Sequence, residues 1–465
     1  MITTEIPNKK VHIETWGCQM NVADSERMLA MLKTENYEIT DTPEGSDLII
    51  LNTCHIREKA RHKVISRLGV LRELKAKNDK MLIAVTGCVA QAEGKQLIQD
   101  SERNIDILIG PGKLDELPNL IKMKRETGNS QIAIGFRKHE DQQIIMEEQA
   151  KLKPTESLAG KNDVSRFVNI QQGCNNFCTF CVVPFTRGRE ISEHPRVILA
   201  NIENMIKNGA REITLLGQNV NSYGLDLVER GELEASPQGP FYDILKSASQ
   251  IAGLERLRFT TSNPHDFSDP LAELFAESPK LGKYIHLPVQ SGSNRILSEM
   301  KRKVTAEEYM QRIAALRNAV PDMAISTDLI VGFPGETEED FLETLELVKK
   351  VRFSFIFAFK YSSRKGTAAA RFKNQIDDQT ASNRLARLNE IQNQITFEEN
   401  QNEISKTREV LFLYPSKKED GIWYGRTPHF RLVRVASNLD LTGKIAHVLI
   451  KDANKTALSG ELISE

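Results

Sequence analysis

The chain has 465 residues, of which 27% are charged and 40% hydrophobic, and its formal net charge is −1. The length allows two or three domains of about 150 residues each, and a charge so close to zero leaves any polyanionic partner to be met by a local patch. MetIleThrThrGluIleProAsnLysLys at the start lacks the apolar core of a signal peptide, and nowhere do eighteen apolar residues run together, which argues against secretion and a membrane span. A soluble, cytoplasmic protein with no membrane partner is expected.

Six cysteines in so long a chain do not make a disulfide framework. Three of them close apolar runs: ValHisIleGluThrTrpGlyCys18, AspLeuIleIleLeuAsnThrCys54 and MetLeuIleAlaValThrGlyCys88. Helical patterns follow over residues 24–32, 57–75 and 91–99, and a fourth strand at 106–109 precedes GlyProGlyLys. Strand alternating with helix predicts a parallel sheet with right-handed crossovers, here an N-terminal α/β domain over residues 9–125. Cys18, Cys54 and Cys88 then all stand at carboxyl ends of strands. Neighbouring strands lie about 4.8 Å apart, so the three thiolates can converge on one metal–sulfur cluster with one iron left open. Buried free cysteines are common in apolar sheets, but they do not explain why all three fall at the same kind of junction. Residues 126–159, rich in Lys, Glu, Gln and Gly, read as a connector with one edge-strand candidate at 131–136. GluSerLeuAlaGlyLysAsnAsp (156–163) marks a loop before the next domain.

The other three cysteines lie in GlyCysAsnAsnPheCysThrPheCys, residues 173–181, after another strand-like run. Cys174, Cys178 and Cys181 have the spacing CxxxCxxC. Three thiolates on one loop can hold three corners of a cubane [4Fe-4S] cluster, and no fourth cysteine follows, so one iron stays open. Structural zinc takes four protein ligands, and the nearest further candidate, His194, lies beyond a basic loop and a proline. An open iron is what S-adenosylmethionine requires to chelate through its amino and carboxylate groups.

Strands are predicted at 167–171, 212–216, 256–260, 284–289, 324–331 and 353–359, with helices at 195–208, 241–249, 270–277, 306–318 and 338–351. Pro195 suits the first turn of its helix and Gly209 the C-terminal cap. Six βα units over residues 160–398 do not close an eight-stranded barrel, so a partial (βα)6 barrel with an open mouth is expected. Three strand ends carry polar or glycine-rich loops that let backbone approach a nucleotide-like ligand. These offer Gly217, Gln218 and Asn219; Gln290, Ser291, Gly292 and Ser293; and Gly332 as S-adenosylmethionine contacts. Arg187 and Arg189, just past the cysteines, are candidates for a ligand carboxylate or phosphate. A long polar helix at about 378–403 leads to residues 401–465, where short alternating runs predict a small β-barrel. There Lys417, Lys418, Trp423, Tyr424, Arg426, His429, Phe430, Arg431 and Arg434 mix charge with aromatic rings, a combination suited to looped RNA.

GlyCysGlnMetAsn (17–21), AsnThrCys (52–54), ThrGlyCys (86–88), CxxxCxxC, GlyGlnAsnValAsn (217–221), HisLeuProValGlnSerGlySer (286–293) and GlyArgThr (425–427) together resemble the tRNA methylthiotransferases of the radical S-adenosylmethionine class. The likeness runs nearly end to end and is greatest to the tRNA 2-methylthio-N6-isopentenyladenosine synthases. Where that family more often has an Asn-Arg pair after GlyArgThr, this chain reads ProHisPheArg (428–431). The resemblance implies two [4Fe-4S] clusters, one on Cys174, Cys178 and Cys181 and an auxiliary one on Cys18, Cys54 and Cys88, and two equivalents of S-adenosylmethionine per turnover. It implies a C-terminal barrel of the TRAM type and sulfur insertion with methylation at C2 of N6-isopentenyladenosine, position 37 of tRNA. An anticodon stem-loop, an external electron donor and a sulfur source are the implied partners of a monomer. Two sibling activities share the architecture, on threonylcarbamoyl-adenosine in tRNA and on an aspartate of a ribosomal protein. A non-catalytic RNA-binding protein with structural metal is the reading from another class.

Overall fold

In the computed structural model, which describes residues 8–54, 58–99, 104–136 and 164–463, the apolar runs that end in cysteine become parallel strands. Two compact units form: the first takes the described residues before 160 together with Val182–Arg189, the second residues 164–181 and everything from Glu190 on. The loop at 156–163, most of the connector and the N-terminal heptapeptide lie outside the described residues.

In the first unit, β1 (Lys9–Trp16), β2 (Tyr37–Ile39), β3 (Leu48–Thr53), β4 (Leu82–Gly87), β5 (Ile107–Ile109) and β6 (Gln131–Ala133) form one parallel sheet in the order β2-β1-β3-β4-β5-β6. The helices are α1 (Gln19–Thr34), α2 (Glu58–Lys77), α3 (Cys88–Glu93), α4 (Lys95–Gln99), α5 (Leu117–Thr127) and the short α6 (Val183–Thr186). Every residue of β3 and β4 is buried, because helices cover both sheet faces and alternation gives way to continuous apolar runs. Met28 and Leu32 of α1 and Leu120 of α5 join one face; Leu68 and Leu71 of α2 and Leu97 of α4 join the other. The chain therefore winds one way from β1 and the other way from β3. That reversal makes a crevice beyond the carboxyl ends of these two strands. β2 was not foreseen, Gly94 (φ +56) splits the 91–99 helix in two, and α5 and β6 carry the sheet into the expected connector.

In the second unit, β7 (Ser165–Asn169), β10 (Glu212–Leu216) and β11 (Arg256–Thr260) form one parallel arc, and β12 (Tyr284–His286), β13 (Ala324–Val331) and β14 (Phe355–Lys360) another. A bridge between Leu257 and Leu281 links the second strand set to the first, giving the expected half-barrel. A minor ribbon pairs β8 (Gln171–Gln172) with β9 (Ile191–Ser192). Outside run α7 (Pro195–Lys207), α8 (Leu225–Glu229), α9 (Pro240–Ser249), α10 (Asp269–Glu277), α11 (Asn294–Glu299), α12 (Ala306–Ala319), α13 (Glu338–Val351) and α14 (Asp378–Gln401). No helix among the described residues is long and apolar enough to cross a membrane.

β15 (Thr407–Pro415), β16 (Ile422–Arg426), β17 (Leu432–Ala436), β18 (Ile445–Ala453) and β19 (Leu458–Leu462) close into a five-stranded barrel. Its Thr427–Arg431 turn plugs the amino-terminal end of the half-barrel. Arg258 of β11 donates to the carbonyls of Thr427 (2.9 Å) and Pro428 (3.0 Å), and Phe430 stacks on Tyr284 with ring centroids 4.7 Å apart. The Arg426 guanidinium lies 4.0 Å from the centre of the Phe430 ring, His429 meets Asp322 at 2.8 Å, and Arg431 bonds Asn400. Four residues expected to meet RNA are thus engaged in docking the barrel. Lys417, Lys418 and Tyr414 remain exposed.

Candidate functional site

Cys18, Cys54 and Cys88 follow β1, β3 and β4, three adjacent strands, at the reversal of the sheet. Cys18 caps α1 and Cys88 opens α3, so amide groups at helix starts favour negative sulfur there. The turns are tight: a Cβ on Gly17 (φ +145) would stand 2.6 Å from the Cβ of Cys54, and one on Gly87 (φ +87) 2.4 Å from the Thr53 carbonyl oxygen. Only glycine before the cysteine lets the strand ends come this close. Cys54 lies between the other two thiols, within hydrogen-bond reach of both. Hydrogen bonding with Cys54 brings Cys18 down to about 7 and Cys88 to about 6, while the Cys54 proton is held more tightly.

A polar frame supports this trio. Asn21 donates to Asn52 (2.9 Å), whose amide donates in turn to Ser25 (2.9 Å) and to the Asn21 carbonyl (2.8 Å). Arg187, buried beside them, donates to Asp24 at 2.7 Å and to Cys88. Burial works against its charge, but Asp24 and the Cys88 and Cys18 sulfurs outweigh it and hold the guanidinium charged. Sequence reasoning gave Arg187 to a ligand near the central cysteines; the structure instead sets it among the N-terminal ones, because a buried cation there meets a carboxylate. Arg189 is exposed. Asp24 was missed, since a lone acid on a polar helix gives no signal.

The Cys174–Cys181 loop is pinned from several sides. Gln218 accepts from the Gly173 amide, and Thr179 donates through its backbone to Met300 (3.1 Å) and through its hydroxyl to Glu299 (2.9 Å). Asn176 donates to Cys174 (3.7 Å) and Arg302 to Cys178 (3.6 Å), both sulfur contacts invisible in the sequence. Burial pushes the Cys174 thiol up to about 11, so a thiolate there calls for a metal to stabilise it. His194 accepts from the Arg196 amide as the cap of α7, which removes it as a zinc ligand.

Beside this loop, at the carboxyl ends of β7, β10 and β11, six buried side-chain atoms have no partner among the described residues: Asn169 Oδ1, Gln171 Oε1, Gln218 Nε2, Asn219 Oδ1, Asn221 Nδ2 and Ser262 Oγ. Each such atom costs about 1–3 kcal/mol, so their clustering marks a seat for a polar ligand. Gly217 has no room for a side chain, with Val220 2.9 Å from where its Cβ would be. The expected contacts on the other two loops are different. Ser293 donates to Asp340 (2.6 Å), the Gly292 amide to Thr344 (2.9 Å), and Ser291 meets Thr344 (3.3 Å). Gly332 (φ +69) turns the chain against Ala381 and donates to Glu336. Ser291, Gly292, Ser293 and Gly332 therefore latch loops to helices, because their polar groups are already satisfied within the protein. Gln290 is buried at a left-handed turn (φ +82).

Both trios fit an iron–sulfur cluster in donor chemistry. No three His, Cys, Asp or Glu side chains among the described residues converge on a single ion. In a four-iron cluster each thiolate takes a different iron, so convergence on one point is not needed.

Residues 10–110 match the uncharacterized protein family UPF0004, and residues 168–348 the radical SAM superfamily. Over 454 residues the chain is 43% identical to the tRNA-2-methylthio-N(6)-dimethylallyladenosine synthase of Geotalea uraniireducens (strain Rf4), covering 98% of this chain and 99% of that one. A protein of the same name from Maricaulis maris (strain MCS10) is 44% identical over 458 residues, 98% of this chain and 97% of the other. Among solved structures, the radical S-adenosylmethionine methyltransferase TsrM from Kitasatospora setae shares the fold, with a TM-score of 0.57 over 78% of this chain and 74% of that one at 13% identity.

Proposed function

This chain belongs to the family of tRNA-2-methylthio-N(6)-dimethylallyladenosine synthases and carries a radical SAM domain, and on that premise we propose that it inserts sulfur at C2 of N6-isopentenyladenosine beside the tRNA anticodon and methylates that sulfur. Radical SAM membership implies a [4Fe-4S] cluster and S-adenosylmethionine. The reading adds a second cluster. The observation that carries it is the presence of two separate thiol trios, each at the carboxyl end of a parallel sheet.

In this reading Cys174, Cys178 and Cys181 hold one cluster, and Cys18, Cys54 and Cys88 the other. Together the bound groups supply a radical able to take hydrogen from an aromatic carbon that no base can deprotonate, and a site for sulfur. The protein's part is to hold and shield. Gln218, Thr179 and Arg302 fix the central loop, and the unsatisfied amides of Gln218, Asn219 and Asn221 orient S-adenosylmethionine. Helix starts and Arg187 stabilise negative charge on the N-terminal sulfurs. Domains over 9–125, 160–398 and 401–465, the last of TRAM type, complete the proposal, with a monomer that takes a splayed nucleotide from an anticodon stem-loop and draws on an external electron donor and sulfur source.

Single-turnover reactions of reconstituted protein with anticodon stem-loops carrying isopentenyladenosine, unmodified adenosine or threonylcarbamoyl-adenosine test this. The isopentenylated substrate should react fastest and the threonylcarbamoyl one not at all. Preference for the threonylcarbamoyl substrate would move the protein to the sibling activity.

A further inference from the structure

Strand register decides which side chains meet on the inner face of the half-barrel. β13 and β14 set Ser326 beside Phe355, Asp328 beside Phe357 and Ile330 beside Phe359, and β12 sets His286 beside Ser326. The outer faces of the same strands are core: Leu329 and Val331 are fully buried, and Ile356 and Ala358 pack against the same cluster. Inside, by contrast, Phe357 is 43% exposed and Phe359 37%. A ring left in water, as much of Phe357 is, forgoes the stabilisation its burial would bring. An aromatic ring on an open inner face is a surface that a ligand can cover.

The two ends of this wall are defined. Below, Phe355 lies 5.7 Å from Tyr284 and 6.3 Å from Phe430, so the plug from the C-terminal barrel closes the floor with rings. Above, Ile330 shares an apolar cluster with Phe180, which stands between Cys178 and Cys181. A group lying on the wall is therefore continuous with the cysteine loop. The Phe357 ring is held edge-on by Phe355 (5.5 Å, 81°) and His286 (5.7 Å, 78°). His286 is itself held by Ser326 at 2.8 Å and Asp328 at 3.4 Å. Pre-setting the ring in this way lowers the ordering cost of binding.

We propose that this wall seats the target base, with the adenine and its N6 isopentenyl group lying against Phe357 and the Asp328–His286 pair beside them. The proposal rests on the reading of the substrate given above and names the residues that select it. A flat base splayed from a loop is recognised by aromatic faces, and a five-carbon apolar substituent adds contact that unmodified adenine lacks. On this wall, at the inner-face positions of β12, β13 and β14, Asp328 carries the one carboxylate and no lysine or arginine stands; the Arg258 and Arg426 guanidiniums lie at the floor against Phe430. An N6 substituent bearing its own carboxylate, held beside Phe357, would meet repulsion from Asp328.

The test is the ratio of single-turnover rates on the three stem-loops, a quantity that general damage to the protein leaves unmoved. Phe357→Ala should lower the preference for isopentenyladenosine over adenosine by roughly tenfold or more. Phe357→Leu, which keeps an apolar body, should retain most of it. Asp328→Asn should raise the threonylcarbamoyl rate relative to the isopentenyl rate; if it does not, the role given to Asp328 is overturned. A Phe357→Ala protein with the wild-type ratio overturns the wall as the selecting surface. Wild-type protein that fails to turn over the isopentenylated stem-loop at all overturns the functional reading itself, and the wall with it.

Discussion

Arg187 and Asp24, 163 residues apart in the chain, form an ion pair at 2.7 Å with only 3% and 6% of their side chains exposed. The carboxylate comes from α1, which Cys18 caps. The guanidinium comes from the segment that follows Cys181. Removing Arg187 leaves the Asp24 carboxylate buried without its cation, and removing Asp24 leaves the buried guanidinium with the Cys88 and Cys18 sulfurs alone to offset its burial. Asp24→Ala or Arg187→Met should therefore cost about 3–5 kcal/mol, and the double variant less than the sum of the two. Chemical denaturation of the apoprotein reads this, and an unshifted midpoint in both single variants would deny the pair a structural role.

The two cysteine sets are separable. Anaerobic reconstitution should give about eight irons per chain, four for each cluster. Changing Cys174, Cys178 and Cys181 to Ala should leave about half the iron and abolish reductive cleavage of S-adenosylmethionine. Changing Cys18, Cys54 and Cys88 to Ala should leave cleavage in place and stop sulfur insertion. Methylthiolated product from the second triple variant would show that the N-terminal set is dispensable for the chemistry.

Tail truncation after Lys406 would confuse two roles, because the barrel both plugs the half-barrel and presents basic residues. Point variants keep them apart. Phe430→Ala removes a ring stacked on Tyr284 and faced by Arg426, and should destabilise the dock by about 2–4 kcal/mol. Lys417→Glu with Lys418→Glu should leave stability unchanged while weakening tRNA binding and flattening its salt dependence. Equal tRNA affinity at low and moderate salt for that pair would place the RNA surface elsewhere.

Asp340 anchors the Ser293 loop to the start of α13. Burial tends to raise its pKa, yet hydrogen bonds from Arg295, Ser293 and Thr337 hold it down to about 2. An unfolded aspartate titrates near 3.9, so the folded carboxylate has the lower value. Its contribution is fully present above about pH 4 and is lost as pH falls toward 2. Asp340→Asn should cost about 1–2 kcal/mol at neutral pH and flatten the stability curve between about pH 4 and pH 2. Parallel acid titrations of the two proteins by circular dichroism would show it, and coincident curves would count against the shift.

Local pattern was enough for much of this protein. Strands at Glu212–Leu216, Arg256–Thr260 and Ala324–Val331 and the helix Glu338–Val351 were legible to the residue, because apolar period and capping residues act within a few positions. The placement of all six cysteines at strand ends followed from the same periodicity. Side-chain pairing did not, since it depends on residues that only folding brings together. Arg187 read as a ligand contact until Asp24 met it in the interior, and Ser291 and Ser293 looked open until Thr344 and Asp340 satisfied them. Arg426, His429, Phe430 and Arg431 had the composition of an RNA surface; contacts of His429, Phe430 and Arg431 with Asp322, Tyr284 and Asn400, and of Arg426 with the Phe430 ring, made them a plug. Composition states what a residue can bind; whether protein or ligand binds it is decided by which partner the fold puts within reach, because an unmet polar group or charge costs too much to leave buried.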